Sequence, residues 1–215
     1  MIFIYPYKRK ENDWCIKQSI RLVLKYYPNS RVITIGDKVE DVENIPFIDA
    51  HKVKGSNVTA KCLHAAKLFK EFIYMNDDFF INERFDFNSV YAGMELLERK
   101  EGKASIAWNQ AVDNTKHFLE HNKLTTVTYE CHQPVKFNSK LLLETFKGLD
   151  WKENDHFLKS LYFNINKPKK VKLIENTKLI EPSTVKAQKL LDYYGVFSVG
   201  QGFLTEKGCL FIKSL

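Results

Sequence analysis

Three adjacent polar residues, Asn76-Asp77-Asp78, are the side chains in this sequence best suited to chemistry. They interrupt an apolar stretch, because Phe72 to Met75 precede them and Phe79-Phe80 follow them. Two adjacent carboxylates beside buried apolar residues are costly to desolvate without a partner. A divalent cation is the partner that suits two such oxygen ligands. The pattern therefore favours a metal-diphosphate site, while a solvated turn with both aspartates in water stays open.

The run Phe72 to Met75 is short, apolar and without alternation, which is typical of a strand buried on both faces of a parallel sheet. In open α/β sheets, ligands bind outside the carboxyl ends of the strands, where the Asn76-Asp77-Asp78 triplet would lie. The preceding chain reads as strand, helix, strand, strand, helix and then this strand. The predicted segments are strands at 2–5, 31–35 and 45–48, and helices from Asn12 or Asp13 to Tyr27 and over 59–70.

This order predicts an α/β fold with a mostly parallel, Rossmann-like sheet flanked by helices and with right-handed crossovers. The strand at 2–5 is expected to be central. The first glycine of the chain is Gly36, so no glycine-rich phosphate loop follows that strand. The dinucleotide fingerprint and the P-loop are thereby excluded, and a nucleotide would have to be held by side chains and a metal.

The second half of the sequence has less regular patterns. Thr125 to Glu130 alternates as a strand does, and Pro134 would end its pairing, which places His132 at a strand end. The other predicted segments are a partial helix over 86–99, a charged turn over 100–103, helices near 111–119, 139–146, 155–162, 183–194 and 205–214, and a flexible loop over 195–202.

The charge balance favours an anionic partner. The net charge is +7, from 33 Lys and Arg against 26 Asp and Glu. Nucleic acid, a nucleotide diphosphate and an anionic surface are all compatible with it. The lysines of the run 167–172 are candidates for tracking a phosphate backbone, and a solvated edge is the plainer alternative.

The sequence predicts a cytoplasmic protein. Its four cysteines are scattered and form no C-x-x-C pair, as expected for reduced thiols. We find neither a signal peptide nor an apolar run long enough to span a bilayer, so no membrane span is expected. If the gene is carried by a phage, the location would be the host cytoplasm.

Residues 1 to about 82 resemble the Stealth proteins, which are hexose-1-phosphate transferases of capsule synthesis, and small phage-encoded glycosyltransferases similar to them. The specific part is EFIYMNDDFFI, which resembles the family pattern F-I-Y-x-N-D-D-x-F. Weaker similarity extends to YECHQPVKF and LKSLYFNI. The chain departs from the family at Trp14-Cys15, where the family has Glu-Leu, and at Lys159, which replaces or shifts an arginine.

The resemblance implies one glycosyltransferase-A-like domain over 1–215, with a nucleotide-sugar-binding half at 1–82 and an acceptor-binding half at 83–215. It also implies that Asn76-x-Asp78 corresponds to the [DN]-x-D pattern that holds a metal against a sugar-nucleotide diphosphate. Asp78 and Asp77 are then the expected metal ligands and catalytic residues, with His132 completing the metal shell or lying beside the sugar. Mn²⁺ or Mg²⁺ is the expected cofactor.

Six further residues are candidates for binding the nucleotide sugar, with a UDP-sugar as the first candidate donor. Three follow the first strand, two lie where the family has an asparagine-bearing loop and helix, and one belongs to the triplet. An ordinary charged loop and a solvated helix face are the alternatives for the first five. The candidates are Lys8, Arg9, Asp13, Asn57, Lys61 and Asn76.

The resulting hypothesis is a metal-dependent glycosyltransferase acting on a hydroxyl acceptor. The basic charge favours a hydroxymethylated pyrimidine in phage DNA as the acceptor, which would have to leave the base stack or be presented in a deformable duplex. The alternatives are transfer of a sugar or sugar phosphate to a surface polysaccharide or virion protein, and a non-catalytic nucleic-acid-binding protein.

Overall fold

The computed structural model describes residues 1–93, 97–98 and 106–215. The strands of these residues, in chain order, are β1 (Ile2–Tyr7), β2 (Arg31–Gly36), β3 (Glu43–Ile45), β4 (Glu71–Tyr74), β5 (Phe79–Ile81), β6 (Val90–Gly93), β7 (Val135–Asn138), β8 (Val171–Ile174), β9 (Lys178–Leu179) and β10 (Val196–Val199). The helices are α1 (Trp14–Tyr26), α2 (Lys54–Leu68), α3 (Ile106–His121), α4 (Ser139–Thr145), α5 (Leu158–Asn166), α6 (Thr184–Tyr194) and α7 (Glu206–Ser214).

The main sheet has five strands in the order β3-β2-β1-β4-β7, with β1 at its centre as predicted. The pairs β1–β2, β1–β4 and β2–β3 are parallel, whereas β7 is antiparallel to β4. In β1, Phe3, Ile4 and Tyr5 are all buried, which is why this strand reads as a continuous apolar run. The predicted mostly parallel α/β fold with flanking helices is confirmed.

Helix α2 packs on β1, β2 and β4 and also contacts α4. It begins at Lys54, five residues earlier than the sequence predicts. Its N-cap residue, Val53, makes no side-chain cap hydrogen bond, so the start lacks the usual Ser, Thr, Asp or Asn signal. Thr59, which marks the predicted start, is buried inside the helix. The early start changes the position of every residue on α2 relative to the helix terminus.

A second sheet, with the order β5-β10-β9, packs with α6 and α7 around its own core. Phe80 and Phe197 are stacked at its centre, with ring centroids 5.2 Å apart. Its strand β10 lies in 195–202, so the flexible loop predicted there is wrong. Gly195 ends α6 with a φ of +73°, and the chain then enters four consecutive buried residues. This run is too short to show a period in the sequence.

Two other predicted elements differ from the structure. The segment 86–93 contains β6, paired in parallel with β8, instead of a helix; most of the remainder of that predicted helix, and the turn at 100–103, lie outside the described residues. Thr125 to Glu130 is not a regular strand. The side chain of Asn164 binds its backbone instead: Val127 N–H donates to Asn164 Oδ1, and Asn164 Nδ2 donates to the Val127 carbonyl. These bonds satisfy polar groups that a strand neighbour would otherwise satisfy.

Both sheets contain strands from both halves of the chain. β7 extends the main sheet, and β10 pairs antiparallel with β5.

The four cysteines are free thiols, at positions Cys15, Cys62, Cys131 and Cys209. Within the described ranges, no helix is both long enough and apolar enough to cross a membrane.

Candidate active site

The Asn76-Asp77-Asp78 triplet lies where the chain passes from the main sheet to the second sheet. The last residue before it, Met75, is still attached to β1, since its N–H donates to the Ile4 carbonyl at 2.9 Å. After the triplet, Phe79 is buried in the main core and Phe80 in the second core. The two aspartates are therefore fixed at the carboxyl end of β4 by anchors on both sides, as the sequence predicts for a ligand site.

Asp78 is a largely buried carboxylate with one satisfied oxygen. Its Oδ2 accepts a hydrogen bond from Ser198 Oγ at 3.1 Å and lies 3.5 Å from Lys178 Nζ. Its Oδ1 is buried and has no hydrogen-bond partner among the described residues. Burial raises the pKa of Asp78, while Lys178 and Ser198 oppose the rise and the charge of Asp77 adds to it. An oxygen in this condition is suited to a ligand that brings positive charge.

Asp77 and Asn76 are each held by a neighbour. Lys10 Nζ donates to Asp77 Oδ2 as an ion pair, and Tyr74 Oη donates to Asn76 Oδ1. Burial alone would lower the pKa of Lys10, but the hydrogen bond and charge of Asp77, together with the charge of Asp78, raise it. The lysine is thus firmly protonated beside the carboxylate pair.

The acidic pair fits a divalent cation that also takes ligands from a substrate. Asp77 and Asp78 offer adjacent carboxylates, one with an unpartnered buried oxygen, and Mg²⁺ sites of this kind use one or two carboxylates plus substrate phosphates. No cluster of three or more His, Cys, Asp or Glu side chains able to hold a metal occurs in the described part of the chain. His132 accordingly does not join the two aspartates in such a cluster.

His132 lies near the same edge, in a bend three residues before β7 and not at the end of a strand at 125–130. Its Nδ1 is 3.0 Å from Asn176 Oδ1, and its carbonyl accepts a hydrogen bond from Thr177 Oγ1. The next residue, Lys178, reaches Asp78. The segment 176–178 therefore connects His132 to the acidic pair.

Lys8 and Lys61 converge on one carboxylate, Asp49. Lys61 Nζ is 2.6 Å from Asp49 Oδ1 and donates to the Tyr7 carbonyl at 3.1 Å, and Lys8 Nζ is 3.5 Å from Asp49 Oδ2. Lys61 is buried and lies about two turns inside α2, so it is neither in the first turn of the helix nor on a solvated helix face. It binds the end of β1 to the loop before α2, whereas Lys8 is exposed.

Arg9 and Asp13 belong to a second cluster after β1. The Arg9 guanidinium donates to the Lys38 carbonyl at 2.7 Å and lies 3.6 Å from Asp13 Oδ2. The Arg9 backbone N–H donates to Asp37 Oδ2 at 2.7 Å, and Tyr7 Oη donates to Asp13 Oδ1. These bonds hold the loop after β1 against the turn after β2.

The Asn57 side chain forms hydrogen bonds with the backbone of the loop just before it. Its Nδ2 donates to the carbonyls of His51 and Val53, and its Oδ1 accepts from the His51 N–H at 2.9 Å. The side chain is buried. Asn57 therefore fixes the loop that leads into α2, and with it Asp49 near the end of β1.

A second pair of carboxylates, Glu130 and Asp155, lies close enough for the two charges to interact. The negative charge of Glu130 contributes to raising the pKa of both Tyr74 and Asp155. Glu130 Oε1 accepts from the N–H and hydroxyl of Ser160, in the first turn of α5. Asp155 packs against α2, where a Cβ placed on Gly55 would lie 2.0 Å from its Oδ1. Burial raises the pKa of Asp155 to about 6.

Sequence reasoning found the acidic triplet but missed its partners. Ser198 and Lys178 come from β10 and β9, where they are paired in register, and they lie at least 100 residues from Asp78 along the chain. No local pattern marks either one. Lys10 stands in a visible basic run, but only the structure shows that its amine, and not that of Lys8 or Arg9, reaches the triplet.

A comparison of the sequence with family models and with curated proteins found no match. The fold does match solved structures. The galactosyltransferase LgtC in complex with donor and acceptor sugar analogues gives a TM-score of 0.52 at 10% identity, covering 100% of this chain and 96% of that chain. An active-site mutant of LgtC gives 0.47 at 10% identity, with coverage of 99% and 94%. A glycosyltransferase involved in the glycosylation of the major capsid of PBCV-1 gives 0.46 at 9% identity, with coverage of 100% and 99%.

The likeness to LgtC shows that this chain has the glycosyltransferase-A-like fold predicted from the sequence. Since no family model matches, the similarity to the Stealth proteins remains a hypothesis. At such low identity the likeness shows the fold alone.

Proposed function

We propose that this protein is a metal-dependent glycosyltransferase that moves a sugar from a nucleotide-sugar donor to an acceptor hydroxyl. One observation carries the proposal: Asp78 is largely buried beside Asp77, and its Oδ1 has no partner among the described residues, where β4 leaves a mostly parallel sheet. This is the edge at which α/β folds bind ligands. The fold is also that of a galactosyltransferase whose structure holds donor and acceptor sugar analogues.

Asp77 and Asp78 would hold the cation, Mn²⁺ or Mg²⁺, and Asn76 would support it through its carbonyl or a water. The metal supplies Lewis-acid neutralisation of the leaving nucleoside diphosphate. Lys10 and Lys178 now balance the two carboxylates. When a cation takes over that role, both amines are placed to donate hydrogen bonds to phosphate oxygens, where charge develops as the glycosidic bond breaks.

The charges of such a complex balance. Two carboxylates and two lysine amines have no net formal charge, and a divalent cation offsets the two negative charges of a sugar-nucleotide diphosphate. The site therefore accepts cation and donor together more readily than either one alone, because each alone leaves an uncompensated charge in a partly buried place. Donor binding is accordingly expected to require the metal.

The nucleoside is proposed to bind over the loop after β1, with a UDP-sugar as the first candidate donor. Lys8 is exposed there, and Arg9 and Asp13 form the adjoining cluster. Asn57 and Lys61 hold the loop that contains Asp49 against the end of β1. In this arrangement Asn57 and Lys61 position the nucleotide site without touching the donor.

Two classes of acceptor molecule are compatible with this transfer. A hydroxymethylated pyrimidine in phage DNA suits the net charge of +7, and lysines at 167, 169, 170 and 172 are exposed. A saccharide or a virion protein is the alternative. Lys172 is ion-paired with Asp86 at 3.1 Å, which removes part of the positive charge that DNA would meet.

The donor site can be tested by thermal unfolding with a panel of UDP- and GDP-sugars, with and without Mn²⁺. At a donor concentration 100 times the Kd, binding stabilises the fold by about 2.7 kcal/mol, or about 5–10 °C for a chain of this size. Asp78→Asn keeps the shape but removes the charge, and the shift should vanish. Asp192→Asn, an exposed carboxylate on α6, is the matched control and should keep it.

Release of nucleoside diphosphate in the presence of Mn²⁺ gives an independent readout. The Asp78→Asn protein should release at least about 100-fold less than the Asp192→Asn protein, as is typical when a group that stabilises developing charge is removed. A rise in Tm with the donor that is the same with and without Mn²⁺ and is also seen in Asp78→Asn would refute the proposed site. No shift with any donor would refute the glycosyltransferase function.

A further inference from the structure

A separate cavity of about 670 Å³ lies between α3 and the loop that precedes α5. Helix α3 contributes one face, on which Asp113, His117 and His121 follow each other at intervals of four residues. Phe118 adds an apolar surface beside them. The volume is in the range of pockets that enclose small organic ligands.

The loop side of the cavity is built from ordered polar groups. Asn154 Nδ2 donates to Asp150 Oδ2 at 2.9 Å, and Leu149 provides a second apolar contact. His156 Nδ1 is buried and has no hydrogen-bond partner among the described residues. Burial lowers the pKa of His156 to about 4, against the opposing charge of Asp150, so its ring is neutral near pH 7. A neutral imidazole with an unsatisfied nitrogen is suited to bind a hydroxyl group.

The composition of the lining selects the chemistry of the ligand. Carboxylates accept hydrogen bonds from hydroxyl groups, and amides and imidazoles form them as well. Phe118 and Leu149 can pack on C–H faces. The cavity contains Asp113 and Asp150 but neither Lys nor Arg among its described lining residues. A phosphate backbone would meet repulsion in this cavity, whereas an uncharged polyol would not.

The cavity shares a wall with the carboxylate Asp155. Asn114, another lining residue, donates from Nδ2 to the Asp155 carbonyl at 3.0 Å, and His156 follows Asp155 directly. The Asp155 side chain packs against Gly55. A ligand in this cavity would thus lie next to a carboxylate that packs on the first turn of α2, the helix whose Lys61 donates to the Tyr7 carbonyl at the end of β1.

We propose that this cavity binds a neutral saccharide, and that this saccharide is the acceptor of the transfer. Its role as acceptor rests on the proposed glycosyltransferase function, but the binding of a saccharide stands without it. The proposal assigns the acceptor to uncharged glycans and not to DNA. A sugar hydroxyl bonds to His156, and the ring face packs on Phe118.

The first experiment applies the whole protein to an array of neutral, sialylated and sulfated oligosaccharides and to duplex DNA containing 5-hydroxymethylcytosine. Neutral glycans should bind, and their binding should change little between low and high salt, because no ion pairs form. Binding to none of the neutral glycans, or to charged glycans or DNA alone, would overturn the proposal.

The second experiment measures the Kd of the best neutral glycan by NMR saturation transfer on two variants. His156→Phe removes the buried nitrogen and keeps a ring, and is expected to weaken binding about tenfold, the equivalent of one good hydrogen bond. Glu120→Gln, an exposed carboxylate of α3 outside the cavity lining, should leave the Kd unchanged. An equal Kd in all three proteins would place the glycan elsewhere and overturn the proposal.

The two proposals fail separately. Asp78→Asn should abolish the donor shift and leave glycan binding intact, while His156→Phe should leave the donor shift intact. Glycan binding without any donor shift would retain the saccharide site and refute the transferase. A donor shift without glycan binding would retain the transferase and refute the acceptor site.

Discussion

The carboxylate of Asp155 provides a sharp physical test, because its burial has a calculable consequence for stability. Its pKa lies at about 6, against an ordinary value of 3.8. A folded-state pKa above the unfolded value means that ionisation penalises the folded state. The penalty is complete above the folded pKa and disappears as the pH falls below the unfolded pKa. Asp155→Asn removes the charge and should therefore stabilise the protein at neutral pH.

The size of the effect follows from the shift in the pKa. A difference of about two pKa units corresponds to at most about 3 kcal/mol. The side chain is partly exposed and lies at the N-terminal turn of α2, where the helix dipole favours a negative charge, and both reduce the penalty. We expect Asp155→Asn to gain about 1–2 kcal/mol at pH 7.5, or about 3–6 °C in Tm. At pH 4.5 about a third of that gain should remain.

Urea unfolding of both proteins at the two pH values measures the difference directly. Contributions of other groups, such as Asp78, are common to both proteins and cancel. Asp192→Asn, an exposed aspartate, should show no gain at either pH. A gain that is equal at pH 7.5 and pH 4.5, or a loss at pH 7.5, would refute the argument that the ionised carboxylate is held against its desolvation cost.

Three further substitutions test the supports of the site and the fold, each by urea unfolding. Asn57→Ala should cost about 2–3 kcal/mol, because the buried Asn57 side chain bonds both the N–H and the carbonyl of His51 in the loop before α2; a change below about 0.5 kcal/mol would contradict this. Lys61→Met should cost about 2–3 kcal/mol at pH 7, since Asp49 would retain, among the described residues, only the exposed Lys8, and an unchanged stability would show that the ion pair is dispensable. Gly195→Ala should cost at least about 2 kcal/mol, because a Cβ there would lie 2.3 Å from the Phe85 backbone at a φ of +73°; full stability would refute that geometry.

The elements that could be predicted from the sequence are those whose pattern is local. The strand at β1 and the helix α1 follow from a continuous apolar run and from apolar residues at helical spacing. Asn138, Ser183 and Thr205 cap the helices that follow them through side-chain hydrogen bonds, as such residues commonly do. In each case a few neighbouring residues contain the whole signal.

The predicted elements that differ from the structure are those that depend on contacts between residues far apart in the sequence. Asn164, on α5, bonds the N–H and the carbonyl of Val127. On the other side of this segment, the Thr126 and Thr128 carbonyls accept backbone N–H groups from Leu97 and Gly93, so the alternating sequence forms only an isolated bridge and not a regular strand. The start of α2 at Lys54 lacks a capping residue, and Asn57, whose residue type commonly caps helices, is used to hold a loop. Sequence patterns cannot show that a side chain replaces a backbone partner when, as with Asn164 and Val127, the two residues are tens of positions apart.

The position of Asp78 depends on the second core more than on its own turn. Both partners of its Oδ2, Ser198 and Lys178, belong to strands whose packing is set by the stacked pair Phe80 and Phe197. A turn alone would leave the two aspartates free to reach water. The second core instead holds Asp78 largely buried with an unpartnered oxygen, at a desolvation cost that its lysine and serine only partly offset. A fold retains such a carboxylate at a measurable cost in stability, and a cation that reaches its free oxygen would recover that cost as binding energy.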